Sequence, residues 1–250
     1  IDHSDSFGAT ARFGKGDVQW LTAGQGIVHC EMFPLVNTDQ PNPTELFQIW
    51  LNLPARNKMV KPHFTMFWHE DIAQIHSNDE HGRSTEVICV AGSLGNARGL
   101  PPPPDSWASQ SEADLAIWTI KMQPGARWTL PAATGKGTRR MLYYFKGTAL
   151  TIGDQTVPPS SAVELSAGVD AELTSGDTVT EILVLQGRTI NGPVAQCGPF
   201  VMNTQAEIQQ AFADYRRTEF GGWPWPASDP VHPPEQGRFA KHADGRIETR

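Results

Sequence analysis

The chain has 250 residues, is 39% hydrophobic and carries a formal net charge of −7. That length accommodates one large domain or two of about 100–150 residues each. Its 23 Gly and 20 Pro are scattered, which fits a folded, turn-rich, β-dominated chain and excludes a disordered one. The acidic balance and the lack of a dense basic run give nucleic-acid binding no electrostatic support. Cys30, Cys89 and Cys197 lie far apart, which excludes a zinc knuckle and a disulfide framework and suits a reducing compartment. No apolar run approaches a membrane span and no signal segment opens the sequence. The chain reads as soluble and cytoplasmic.

In chain order, the sequence opens on Ile1 and runs into His3-Ser4-Asp5-Ser6-Phe7-Gly8, which reads as a hairpin tip. A domain seldom starts there, so a processed or truncated product lacking upstream residues is expected. Gly16-Asp17 begins a turn-rich approach through Gly24 and Gly26 to a strand at His29-Cys30-Glu31. Residues 46–53, closed by Pro54, are a strand candidate, as are 63–68 and 85–90. Pro101 to Pro104 and the polar stretch to Asp114 mark the expected domain boundary.

A second β-series is expected at 116–122, 141–145, 149–152, 162–165, 171–173 and 179–185, spaced as in a sandwich or barrel. One helix is expected over 205–217. Thr204 and Glu207 form a capping box, and Ile208, Ala211, Phe212 and Tyr215 make one apolar stripe before Gly221-Gly222 stops it. The tail, 223–250, should lie extended against the body.

His29 and Glu31 are the leading site residues. On a strand, side chains two apart share a face, so an imidazole and a carboxylate converge while Cys30 turns away. That donor pair, with open positions, belongs to non-haem iron(II) oxygenases; zinc and manganese are chemically admissible. The plainer alternatives are a strand histidine bonded to a carbonyl and a glutamate facing water. His3, His63, His69, His76, His81, His232 and His242 read as surface or supporting positions, His3 because a hairpin tip points away from an interior. No histidine falls between His81 and His232, so the second β-series cannot build an imidazole site of its own. No nucleophile elbow, phosphate loop or dinucleotide fingerprint is present.

Residues 16–32 (Gly16-Asp17-Val18-Gln19-Trp20-Leu21-Thr22-Ala23-Gly24-Gln25-Gly26-Ile27-Val28-His29-Cys30-Glu31-Met32) resemble the signature of the pirin family of the cupin superfamily. Residues 48–54 and 198–204 resemble it too. The resemblance implies an all-β fold of two tandem cupin (jelly-roll type) β-barrels. Residues 1–98 would form an incomplete first barrel and 99–115 a linker. Residues 116–250 would form a metal-free second barrel with the helix and tail. It also implies a single metal in the first barrel, usually iron(II), with another divalent transition metal as the alternative. The family holds its metal with three histidines and one glutamate. His29 matches the third histidine and Glu31 the glutamate, while the first two match positions upstream of residue 1. Several members are quercetin 2,3-dioxygenases, so a small aromatic substrate and O2 are the implied partners, with Glu31 also a candidate general base. A vertebrate member is a nuclear transcriptional co-regulator, which leaves a non-catalytic metal- or redox-responsive binding protein with a protein partner as the rival. Neither membrane association nor direct nucleic-acid binding is expected.

Overall fold

The computed structural model describes residues 1–250. Two compact units form, interleaved along the chain. One takes Ile1–His69, Pro103–Ser106 and Ile190–Arg250; the other takes Glu70–Pro102 and Trp107–Thr189. Where the sequence suggests consecutive domains divided near residues 99–115, the compact units change over at His69 instead and return at Ile190. No helix is long and apolar enough to cross a membrane.

The first unit opens with an antiparallel hairpin of β1 (Asp2–Asp5) and β2 (Thr10–Arg12). Its tip is tied by Asp5, whose Oδ1 accepts from the backbone N–H of Phe7 at 2.9 Å and of Ala9 at 3.0 Å. An aspartate that satisfies nearby backbone donors in this way favours a turn. β3 (Val18–Thr22) and β4 (His29–Met32) follow, then β5 (His63–Phe67), which pairs with β3 as a two-stranded ribbon. β4 pairs with the other side of β1.

Residues 46–53 do not form the expected strand. Their composition favours one, but a strand needs a neighbouring ladder to satisfy its backbone, and no strand runs beside them. Leu46, Phe47, Ile49 and Trp50 are consequently exposed.

The second unit is a β-sandwich. Its strands are β6 (Ala73–Asn78), β7 (Ser84–Ala91), β8 (Ser93–Leu94), β9 (Ala97–Arg98), β10 (Ala116–Met122), β11 (Arg127–Leu130), β12 (Thr138–Lys146), β13 (Leu150–Ile152), β14 (Gln155–Val157), β15 (Ser161–Leu165), β16 (Ala171–Ser175) and β17 (Thr180–Arg188). Six form a sheet in the order β15-β12-β17-β10-β7-β6, and four form another in the order β11-β16-β13-β14. Both sheets keep free edges, so the barrels are open rather than closed. The alternation Ala116, Trp118, Ile120, Met122 turns one face of β10 inward, as period-two geometry requires. Those residues meet Leu142 and Tyr144 from β12, Ile182 and Val184 from β17, and Leu130, Leu150 and Leu173 from the facing sheet.

The chain then returns to the first unit through β18 (Ala195–Cys197), β19 (Phe200–Met202) and α1 (Gln205–Thr218). The expected capping box is present: Thr204 Oγ1 accepts from the Glu207 N–H, and the Glu207 carboxylate accepts from the Thr204 N–H at 2.8 Å. The tail is extended, as expected, but ends in a hairpin of β20 (Phe239–Lys241) and β21 (Ile247–Thr249). β20 pairs with β2, completing a five-stranded sheet in the order β21-β20-β2-β1-β4.

Tail and hairpin are bound by polar contacts as much as by apolar ones. Arg12 makes two 2.7 Å bonds to the Asp2 carboxylate and donates to the carbonyls of His232 (2.8 Å), Pro233 (2.6 Å) and Gln236 (3.0 Å). Glu248 accepts from Trp68 Nε1 at 2.6 Å and pairs with His242 Nε2 at 2.8 Å. Burial alone would push the Glu248 carboxyl up. The bonds from Trp68 and His242 and the charge of Arg246 outweigh it and hold the group below the ordinary glutamate range.

Two outcomes follow from these contacts. Leu142→Ala, at a fully buried position, is expected to cost about 2–5 kcal/mol in chemical denaturation. Because the folded Glu248 is the stronger acid, its contribution is complete above the unfolded pKa of about 4.3. It fades as pH falls through the lower folded value. Thermal melts from pH 7 to pH 3 should therefore show a steeper acid loss for the wild type than for Glu248→Gln; parallel curves would contradict this.

Candidate metal centre

The register of β1 against β4 assembles the site. His3 lies opposite Glu31 and Asp5 opposite His29. Directly opposed residues of an antiparallel pair share a face, and so do residues two apart on one strand. His3, Asp5, His29 and Glu31 therefore project from one side of the sheet, while Ser4 and Cys30 project from the other. One donor atom from each of His3, His29 and Glu31 lies within 4.8 Å of the others. His29 Nδ1 stands 3.9 Å from Glu31 Oε1, and the His3 and His29 rings are 5.6 Å apart.

His3 is thus not on the outward-facing tip that its place in the sequence suggests. The turn falls at residues 6–8, and His3 sits two residues before the strand ends, with no exposed surface. The ring is held by its surroundings. Phe64 of β5 stacks on it at 5.2 Å with a 12° interplanar angle, and Gln19 Nε2 of β3 lies 3.1 Å from Nδ1. The Gln19–Phe64 side of the β3–β5 ribbon packs onto the donor face.

His29 and Glu31 are about a third exposed at the side chain. Burial lowers the His29 pKa, and the neighbouring His3 lowers it further, against the opposite pull of Glu31 and Asp5. A neutral imidazole is what a metal ligand requires at neutral pH. Cys30 behaves differently: burial pushes its thiol up, so it stays protonated and a poor ligand.

The approach to β4 depends on two glycines. Gly24 (φ +52°) brings its backbone so close to Val60 that an added Cβ would lie 2.1 Å from the carbonyl oxygen. At Gly26 (φ +125°) it would lie 2.5 Å from the Phe220 ring. Only glycine combines that conformation with that proximity. Beside the donors, a cleft of about 250 Å³ is lined by His29, Cys30, Tyr215, Glu219 and Trp223, among others. The helix helps to shape it, since Tyr215 leans on Phe220 at 5.3 Å and Phe212 on Phe200 at 4.7 Å.

The remaining histidines have partners elsewhere. His76 faces the half-buried Glu86 at 3.7 Å, and His81 faces Glu80 at 3.4 Å, both of that second pair largely exposed. His232 Nε2 meets Thr10 Oγ1 at 3.0 Å, and His242 meets Glu248. The His69 N–H donates to Asp17 at 3.0 Å, and His63 is exposed at the start of β5.

Two imidazoles and one carboxylate on one face fit a divalent transition metal. The set is the facial triad of non-haem iron(II) sites, and a zinc site with three protein ligands uses the same donors.

Comparison with known proteins identifies the family. The family profile described as Pirin matches residues 1–51, and that of the pirin C-terminal cupin domain matches residues 117–221. Human pirin is 30% identical over 223 residues, covering 88% of this chain and 70% of that protein. A pirin-like protein of Caulobacter vibrioides is 33% identical over 218 residues, covering 87% and 72%. A Pseudomonas aeruginosa protein provisionally named quercetin 2,3-dioxygenase is 30% identical over 220 residues, covering 88% and 72%. The crystal structure of quercetin 2,3-dioxygenase from Acinetobacter baumannii superposes with a TM-score of 0.68 at 29% identity, covering 88% of this chain and 72% of that one. The cupin-type sandwich, the donor pair on β4 and these likenesses together place the chain in the pirin family.

Proposed function

We propose that the chain belongs to a metal-dependent dioxygenase that opens a flavonol such as quercetin with O2, iron(II) being held in the first unit. The observation that carries this reading is the convergence of His3, His29 and Glu31 within 4.8 Å on one sheet face. The family resemblance supports His29 and Glu31 as ligands, and His3 brings a further donor atom within 4.8 Å of theirs. A bound divalent metal would supply a Lewis acid that lowers the pKa of a flavonol hydroxyl.

The chain's own groups supply the rest. His29, kept neutral by burial, offers a lone pair. Glu31, partly open to solvent, can accept the substrate hydroxyl proton as a general base. Trp223 and Tyr215 line the cleft beside His29 and give a flat aromatic ring apolar walls to lie against. The free cysteines fit a cytoplasmic setting.

A second reading is a metal-responsive binding protein that acts without turnover. Its support is the exposed apolar run that follows β4, with Leu35 at 74% and Trp50 at 62% exposure, since such surface often marks a protein contact.

Elemental analysis of iron-loaded protein, with quercetin consumption under O2, tests both readings. The wild type is expected to hold iron and consume quercetin. His29→Ala should lose metal affinity by more than the 10–100-fold typical of an outer-sphere partner. Glu31→Gln should lower turnover more than it lowers metal content. Iron bound equally by wild type and His29→Ala would defeat the metal assignment. Iron retained by the wild type without quercetin loss, together with iron-dependent capture of a protein, would favour the second reading.

A further inference from the structure

The helix beside the cleft ends on an unusual backbone. Glu219 (φ +47°, ψ +26°) takes the left-handed conformation that glycine commonly supplies at a helix end, and its N–H returns to the Tyr215 carbonyl. Phe220 (φ +48°, ψ +47°) repeats that conformation, and Gly221 and Gly222 follow with positive φ. Of the five non-glycine residues with positive φ, only these two are adjacent. Both side chains are sterically disfavoured there, so surrounding contacts must impose the geometry.

Those contacts fall on Phe220. Its carbonyl accepts from Ser6 Oγ at 2.7 Å, and its N–H donates to Thr218 Oγ1 at 3.2 Å. Its ring occupies the place a Gly26 side chain would need and lies 5.3 Å from the Tyr215 ring. With Phe220 anchored, Glu219 is left exposed one helical turn beyond Tyr215, and both line the cleft beside His29.

Glu219 is the one carboxylate in that lining. No ion pair or side-chain hydrogen bond within the protein engages it. The helix end gives no reason for a glutamate, because glycine or asparagine would end it with less conflict. A carboxylate at a helix C-terminus also opposes the helix dipole. The residue is thus unfavourable for the helix, while it gives the cleft a strong acceptor beside the aromatic walls of Tyr215 and Trp223. A carboxylate accepts well from phenolic hydroxyls, and its two oxygens match a pair of neighbouring ones.

We propose that Glu219 is a specificity-determining residue of the cleft, accepting hydrogen bonds from the outer-ring hydroxyls of a hydroxylated aromatic substrate. This rests on the reading of the chain as acting on a flavonol. It narrows that class to flavonols whose outer ring carries neighbouring hydroxyls.

The test compares quercetin with galangin, which differs only in lacking the outer-ring hydroxyls. Calorimetric titration under nitrogen, with iron(II) supplied, is expected to show tighter binding of quercetin by the wild type. Glu219→Gly removes the carboxylate and suits the left-handed backbone, so it should melt no lower than the wild type. It should nonetheless bind quercetin about 10-fold more weakly and galangin unchanged. A role confined to ending the helix predicts no change in binding. If the wild type binds both flavonols alike, or if Glu219→Gly alters neither or weakens both equally, the specificity role is overturned. Quercetin consumption by the wild type would then leave the flavonol reading intact. A wild type that binds neither flavonol overturns both.

Discussion

One antiparallel register governs the site. Side chains alternate along a strand, so a slip of one residue between β1 and β4 would turn one strand's donors to the opposite face. Several contacts prevent that slip. Ser6 N–H reaches the Val28 carbonyl at 2.8 Å, and the Val28 N–H returns to Ser6 Oγ at 3.1 Å. Asp5 ties the turn at the end of β1, and Ser6 Oγ donates to the carbonyl of Phe220 at 2.7 Å, so the segment after the helix also braces the junction. The donor geometry is thus a product of backbone pairing more than of the donors' own attraction.

Elements whose cause is local were legible before any coordinates. The capping box at Thr204 and Glu207 and the stripe from Ile208 to Tyr215 announce the helix. The alternating apolar residues of 116–122 and the continuous apolar run of 182–185 announce core strands. His29 and Glu31, two apart, announce a shared face. His3 was not legible for a physical reason: Asp2-His3-Ser4-Asp5 is wholly polar yet wholly buried, so no alternation marks it as a strand. What buries it lies on both sides in space and far away in sequence. Residues 46–53 erred in the other direction, because β-rich composition records a preference for packing and not the presence of a neighbour.

The two units solve burial in different ways. The second has a continuous apolar core shared by its two sheets. The first has a small apolar cluster around Ala11, Phe13, Met66, Trp68 and Ala240 beside a buried polar layer of Asp2, His3, Ser4, Asp5, Thr10 and Arg12. Buried polar groups are tolerated when their hydrogen bonds are made. Here Arg12 answers Asp2, Thr10 Oγ1 donates to the His3 carbonyl at 2.7 Å, and Trp225 Nε1 caps the Asp5 carbonyl at 2.8 Å. A polar interior is also what a cation needs, so the unit with less apolar support is the one able to house ionic chemistry.

The pairing of Thr10 with Lys241 joins β2 to β20, with the whole second unit lying between them in the sequence. Closing so wide a loop carries an entropic penalty and slows the contacts that depend on it. On a ribosome, β2 must wait with one edge bare until β20 has emerged, whereas the strands of the second unit find one another earlier. The sheet that carries the donors is therefore completed only after the strands of the second unit have formed.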